Sequence, residues 1–575
     1  MSLAVCELAR RGKLLVGEPF FEGGTPLVVD RKGSGEAAIG DLVVLRLGRG
    51  RARIEHVLGK PAAIETVLNG LLWHLGVRRR HAPLPPEPGD DVDAGRVDLR
   101  HLLAFTIDPD EAKDFDDALS VEPEGDGLRA WVHIADVSAY VPPGSPLDRD
   151  AAERAFSVYV PGQVEPMLPE PLSADLCSLR PHVDRRCVTV EIPFDPALEP
   201  GEAVVYRSLI RSRERLTYGH AERVLAGREK ERPEIADALR RCERLTAELR
   251  RRRYRRGALR IEKGETSFAF DGTGGVERAW IEAEPLAHML VEELMILANE
   301  VVGAFLAGHR REALFRVHER PDPQAVELLL AKLADLEVPT PSAPEHLTPS
   351  DAGRLAARIS ARIAEYAAQA GRGEDAFPTL VLRALKQARY DPRNLGHSGL
   401  SSRAYCHFTS PIRRYPDLVC HRALLAELGL AEHSPPDVAE LAEWTSVRER
   451  EAAQVEYRAD ALCLAWYLER RLFDEGWEAE FSGEVIGAIG SGIFVRFDGV
   501  FEGYVPARHL PGEYFELNPL ATAMVGRRTG RRFRLGDPVS VCVEAIDRTE
   551  GKVELRLAEA REGSSRGRRS PQRSR

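Results

Sequence analysis

No stretch of this 575-residue chain approaches the roughly 20 consecutive apolar residues that a membrane span requires. The amino terminus has no basic region followed by a long apolar run, so the chain reads as soluble, unexported and cytoplasmic. Cysteine is sparse. The eight residues, Cys6, Cys177, Cys242 and Cys542 among them, form no CxxC pair and no metal-ligand spacing, which fits a reducing compartment, argues against structural zinc and leaves them as small core residues. Net positive charge is lacking as well: the formal balance of −10 by itself argues against a nucleic-acid partner, because phosphate binding draws on Lys and Arg. The average hides the distribution, however. Basic residues gather between Arg250 and Arg256, between Arg527 and Arg534, and from Arg561 to Arg575. Each run alone is most simply a solvated face. An acidic balance with local basic tracks also suits an enzyme that must hold both cations and a polyanion.

The length is too great for one core and implies three or four domains. Residues 1–60 alternate apolar and polar positions between glycine turns, the pattern of a small β-barrel. Residues 61–96 hold a helical stretch, Ala62 to Leu75, and a linker, Pro83-Leu-Pro-Pro-Glu-Pro88, that can continue neither element. Strand-like and helical runs then alternate over 97–430, predicting a mixed α/β domain with one large core, and 431–473 reads as helix. Strands and glycine turns return over 474–558, predicting a second small barrel, and 559–575 is too poor in apolar residues to fold. The expected fold class is therefore multidomain, α/β plus all-β.

Two segments carry chemistry. From Thr106 to Ala118 six carboxylates crowd into Asp108 to Asp117 directly after an apolar strand, offset only by Lys113. Crowded like charges raise carboxylate pKa values and cost stability unless cations sit among them. Hard divalent ions take oxygen ligands, and a pair of them can activate water and stabilise the leaving oxygen of a phosphodiester. An acidic surface loop explains this segment alone equally well. The second segment, Asn394 to Arg422, interleaves Arg403, Arg413, Arg414 and Arg422 with Tyr405, Phe408 and Tyr415 and with the hydroxyls of Thr409 and Ser410. Forked guanidiniums and hydroxyls hold phosphate oxygens, and aromatic faces stack bases. His397, His407 and His421 are more simply structural histidines than metal ligands.

Together these segments resemble the signature motifs of the ribonuclease II and ribonuclease R family. The resemblance extends through Val132-His-Ile-Ala-Asp-Val-Ser138, Tyr159-Val-Pro-Gly162, Pro166-Met-Leu-Pro169, Leu176-Cys-Ser-Leu179, Arg215-Leu-Thr-Tyr218 and Val291-Glu-Glu-Leu-Met-Ile-Leu-Ala-Asn299, in family order over roughly residues 97 to 460. It implies a processive 3′→5′ exoribonuclease that hydrolyses single-stranded RNA to nucleoside 5′-monophosphates as a monomer. Asp108, Asp114, Asp116 and Asp117 would hold Mg²⁺, two ions being expected, with Asp117 indispensable and Asp116 sharing the catalytic role. Arg413 would grip the phosphate at the cut, and Tyr159 would stack on a terminal base. Glu293 and Glu456 would line the RNA channel, with Arg403 and Arg414 as further RNA contacts. The flanking barrels resemble cold-shock and ribosomal-protein-type OB domains, where Phe494, Phe497 and Tyr504 are candidate stacking faces. Residues 97–430 correspond to the family's RNB catalytic domain and 431–473 to its helical extension.

The chain departs from the family pattern in three places, one being Ser398 in His397-Ser-Gly-Leu400, where relatives often have Phe. About 60 residues precede the linker, room for one OB domain where many relatives carry two, so weaker RNA capture is expected. Ile261 stands where many relatives place an aromatic, so the terminal bases are expected to be clamped mainly from the Tyr159 side. The alternative function is a catalytically silent RNA-binding protein of the same fold, which would have lost carboxylates that are present here. A metal-dependent nuclease or phosphatase acting on DNA or nucleotides is the other rival, since choice of RNA rests on contacts to the 2′-hydroxyl.

Overall fold

The structure is a computed structural model that describes residues 3–30, 37–48, 50–86, 89, 93–261, 264–272, 274–282, 285–431 and 437–558. The tail expected to be unfolded, 559–575, lies outside the described residues, as does the end of the linker at 87 and 88.

A seven-stranded sheet forms the centre, in the order Glu214–Thr217, Phe105–Asp108, Asp117–Glu124, Gly127–Ala135, Asp184–Phe194, Val204–Arg211, Val97–Asp98. The first and last pairs are parallel and the others antiparallel. Both faces are covered, which is why the strands read as nearly continuous apolar runs. Phe105, Ile107, Val132 and Ile134 point to one side, against Leu239 and Leu245 of helix Pro233–Arg256 and Leu290 and Leu294 of helix Pro285–Gly308. Ala104, Trp131 and Ala135 point to the other, against Leu147, Met167, Leu172 and Ile412. His133 is buried within the sheet, bonded to Ser120 and Thr189, and burial depresses its pKa to about 3.

The amino-terminal unit is a five-stranded antiparallel sheet whose edge strands meet through a single bridge, Val29 to Ala52. Among the described residues the expected barrel is thus joined by one contact and not by a full ladder. Helix Ile64–His74 seats this unit, through Leu68, Leu71 and Leu72, against Val455, Ala459 and Leu462 of the helix Val438–Glu475. That 38-residue helix, hereafter the long helix, runs from the catalytic body to the carboxyl-terminal barrel.

The carboxyl-terminal barrel is closed in the order Phe481–Ile489, Gly492–Phe497, Phe501–Pro506, Lys552–Leu557, Pro538–Asp547. It is no loose appendage. Phe497, Phe501 and Val541 share one core with Phe377, Leu329 and Leu355 from helices of 323–384 and with Leu468 and Leu472 of the long helix. Glu484 on the barrel accepts the backbone N–H groups of Gly373, Glu374, Asp375 and Ala376 at 2.8–3.2 Å, capping helix Ala376–Ala384 from another domain. All eight cysteines are free and buried, as expected of core residues. Among the described residues no helix is long and apolar enough to cross a membrane.

Candidate active site

The acidic loop is built by strand pairing. Asp108 ends the strand Phe105–Asp108, Asp117 opens its antiparallel neighbour, and the turn between them carries Asp114 and Asp116. Ser178 of the Leu176–Leu179 motif holds that turn: its Oγ donates to Lys113 O at 2.7 Å and accepts the Phe115 N–H at 3.0 Å. Leu179 N–H adds a bond to Phe115 O at 2.9 Å, and Arg215 donates to Asp110 O at 2.9 Å. Parallel pairing sets Thr217 beside Asp108, so Tyr218, the first residue of the next helix, stands at the cluster's edge.

The Arg413 segment closes on the same spot. Asn299, buried in its helix, accepts the Phe408 N–H at 2.8 Å and donates to the Tyr405 hydroxyl at 3.1 Å. Asp417 accepts the Ser410 N–H at 2.8 Å. The turn that follows wraps Asp116, which accepts the Ile412 N–H at 2.8 Å and lies 3.3 Å from Arg413 Nε. Arg413 keeps 46% of its side-chain surface exposed, as a group lining a cleft does. On the opposite wall the Tyr159 hydroxyl donates to Asp114 Oδ2 at 2.6 Å, while the Tyr159 N–H donates to Glu456 Oε1 at 2.9 Å.

Electrostatically the site is under-neutralised. Burial and the nearby Asp117 carboxylate push Asp108 up to about 7. Burial pushes Asp117 up to about 6 against the pull of Arg413 and Arg414, and it raises Asp116 well above the carboxylate range although Arg413 is adjacent. Asp108 Oδ2 and Asp116 Oδ2 are buried without a hydrogen-bond partner. Buried acceptors left unpaired cost free energy, and a cation would relieve it. Among the described residues no three carboxylate, imidazole or thiolate groups converge closely enough to cage an ion unaided. Donors of this kind still fit Mg²⁺, which keeps several waters and needs only one or two carboxylates beside substrate phosphate oxygens.

The structure thus unites Asp108, Asp114, Asp116, Asp117, Arg413, Tyr159 and Glu456. Other expected contacts are corrected. Glu293 is only 2% exposed and locked to Arg253, whose Nε lies 3.1 Å from both carboxylate oxygens. Its neighbour Glu292 is 49% exposed and also accepts from Arg253, at 3.2 Å. His288 stacks on Tyr218 with ring centroids 4.0 Å apart. Arg414 is committed to Asp417 through bonds of 2.9 and 2.8 Å, so it braces the turn and is not free to grip a phosphate. Arg422 is buried on Asp148 at 2.8 Å, and Tyr405, Phe408 and Tyr415 are core, not stacking faces. Arg403 is exposed and forms no ion pair among the described residues. Phe494 is 39% exposed beside Tyr504, whereas Phe497 lies inside the barrel. His397, His407 and His421 are all buried or nearly so, bonded to Leu400 N–H, the Tyr390 hydroxyl and Phe408 O, and held neutral by burial, as expected of structural histidines. Sequence reading missed Ser178, His288 and the pair Glu265 and Asp460 beyond Glu456. Burial, with Glu456 and Glu265, raises Asp460 to about 7.

The site is thus a carboxylate cluster faced by an arginine on a sheet covered on both sides, and residues 96–429 match the RNB domain family model. The chain belongs to the RNB-domain family of ribonucleases, whose members are metal-dependent hydrolases. It is 37% identical to ribonuclease R of Escherichia coli (strain K12) over 506 residues, covering 84% of this chain and 60% of that protein. It is 35% identical to ribonuclease R of Aquifex aeolicus (strain VF5) over 558 residues, 93% of this chain and 77% of the relative. This chain therefore spans about 60% of the length of the Escherichia coli relative. The fold matches Mycoplasma genitalium RNase R in complex with ribose methylated single-stranded RNA at a TM-score of 0.84 and 23% identity, covering 97% of this chain and 89% of that one. It also matches yeast Ssd1, a pseudonuclease, at a TM-score of 0.67 and 17% identity, over 91% of this chain and 67% of the other.

Proposed function

We propose that this chain is a processive 3′→5′ exoribonuclease that acts on single-stranded RNA as a monomer and releases nucleoside 5′-monophosphates. The observation that carries the reading is a pair of buried carboxylates, Asp108 and Asp116, each with an oxygen that lacks a hydrogen-bond partner, the Asp116 one lying 3.3 Å from Arg413 Nε. A silent protein of this fold gains nothing from keeping such groups buried, and the cost of doing so is several kcal/mol on the order of unpaired polar burial.

Asp108, Asp114, Asp116 and Asp117 are the residues that would hold Mg²⁺, with two ions as the fitting complement. Bound Mg²⁺ supplies a Lewis acid that activates water and neutralises charge on the reacting phosphate. The chain's own residues do the rest. Arg413 presents forked donors to phosphate oxygens, and Ser410 Oγ, 3.2 Å from its Nη2, fixes the guanidinium. Tyr159 holds Asp114 through its hydroxyl and offers its ring to the terminal base, with Glu456 anchoring its backbone. Arg403 and Phe494 are contacts farther along the strand. The domain division proposed is 1–60 cold-shock-like OB, 97–430 catalytic, 431–473 helical extension and 474–558 OB. The single-stranded RNA bound by the Mycoplasma genitalium relative supports RNA as the substrate class.

Release of mononucleotides from matched RNA and DNA oligomers, with and without Mg²⁺, tests the reading. RNA should be digested from its 3′ end only when Mg²⁺ is present. Equal digestion of DNA, or digestion undiminished by a chelator, overturns it.

A further inference from the structure

An exposed aromatic on the long helix lies between the two places where RNA is expected to stack. Tyr457 is 68% exposed, and among the described residues no other ring or guanidinium covers its face. It directly follows Glu456, whose carboxylate accepts the Tyr159 N–H at 2.9 Å, so its backbone is one residue from a contact of the active site. Its side chain lies within electrostatic reach of the carboxyl-terminal barrel. Glu502 and Arg496 on that barrel are near enough to act on its hydroxyl, the carboxylate raising the pKa and the guanidinium lowering it, behind the raising effect of burial.

Arg496 and Glu502 are register partners on adjacent strands, and Phe494 and Tyr504 are the next pair on the same face. Phe494 and Tyr504 have ring centroids 5.2 Å apart, and the Phe494 side is exposed. The barrel's outer face therefore presents an aromatic pair, then an ion pair, and then Tyr457 of the catalytic body. Beyond Tyr457 come Glu456, Tyr159 and Asp114. Other exposed aromatics do not share this placement. Phe473 lies 16 positions farther along the same helix, roughly 24 Å away at about 1.5 Å per residue, and Tyr514 is covered by Arg527 at 5.1 Å.

Resting on the exoribonuclease reading, we infer that Tyr457 is a stacking platform for a base of the RNA strand as it crosses from the carboxyl-terminal barrel to the carboxylate cluster. An uncovered phenol ring gives any base a π face, which suits passage of every sequence. Beside it Arg496 is already held by Glu502 and, at 3.1 Å, by Asp375, so no free guanidinium there competes with the ring for the strand. Tyr457 acts by its ring.

The test measures affinity for fluorescent single-stranded RNA by full-length protein carrying Asp117→Asn, which prevents digestion, with Tyr457→Phe or Tyr457→Ala added. Affinity in the Asp117→Asn protein should rise as the oligomer is lengthened beyond what the cleft holds. Tyr457→Ala should lose most of that gain, roughly tenfold to hundredfold, and Tyr457→Phe should keep it. On an oligomer whose outer half lacks bases, the Asp117→Asn protein and its Tyr457→Ala derivative should converge. Equal loss in the Phe and Ala variants, or an Ala variant that keeps the full gain, overturns the platform. A Tyr457→Ala protein equally impaired on the base-free oligomer does so too, because the residue would then be bracing the two domains. If the Asp117→Asn protein binds no RNA of any length, it is the exoribonuclease reading that fails.

Discussion

The Tyr159 hydroxyl donates to Asp114 Oδ2 at 2.6 Å while the backbone of the same residue donates to Glu456, so one tyrosine ties the acidic loop to the long helix. The bond fixes a carboxylate that would otherwise turn freely in the cleft. Tyr159→Phe should keep the ring but release Asp114, raising the Mg²⁺ concentration for half-maximal activity by roughly tenfold, the worth of one charge-assisted hydrogen bond. Tyr159→Ala should in addition lengthen the final undigested oligomer. Magnesium titrations of the two variants, with product lengths on a homopolymer, separate the effects.

Asp117→Asn removes a charge from the cluster without removing a contact to the strand. Cleavage should fall by roughly a thousandfold or more, the order expected when a group that stabilises the transition state electrostatically is lost. RNA affinity should stay within a few fold. Single-turnover rates and equilibrium binding on the same oligomer check this, and near-normal turnover would remove Asp117 from the chemistry.

Ile261 packs against the core that the carboxyl-terminal barrel shares with the helices of 323–384, so it is not half of a clamp around the terminal base. Phe270 takes that place more nearly. A side chain added at Gly162, in the turn of the Tyr159 hairpin where φ is +79°, would meet the Phe270 ring at 3.3 Å. Phe270→Ala should loosen the hairpin and lengthen the limit product, whereas Ile261→Phe should leave that product unchanged and cost about 1–3 kcal/mol of stability by overpacking. A shorter end product from a well-folded Ile261→Phe enzyme would restore the clamp.

Asp460 has a pKa of about 7, raised by burial and then by Glu456 and Glu265. Its native carboxyl stays protonated where the unfolded one has ionised. The stability this lends is full below about pH 4, the unfolded value, and is lost as pH rises through about 7. Asp460→Asn should therefore stabilise the fold at pH 8 by about 1 kcal/mol once solvent screening is allowed for, seen as a higher melting temperature, with little gain at pH 4. Melting curves of both proteins across that range decide; a gain independent of pH would locate the penalty elsewhere.

The sequence alone determined the fold class, mixed α/β with small β-barrel parts, and supplied the carboxylate and arginine types of the site, because alternation, helical spacing and residue chemistry are local properties. It also placed the eight cysteines and three histidines correctly as structural, since burial is the common fate of such residues outside ligand spacings. Only the tertiary structure decided which charged groups were free to act. Arg413 and Arg414 are adjacent and chemically identical, yet Asp417 consumes one and leaves the other open to the cleft. Glu292 and Glu293 differ by one step of a helix, about 100° of rotation; both reach Arg253, yet one stays half exposed and the other is buried. Aromatics between Tyr405 and Tyr415 went to the core for the same reason. A side chain's partner is set by what the fold brings across from it, and residues such as Asp417 and Arg253 reach their partners through turns and helix contacts that no local pattern specifies.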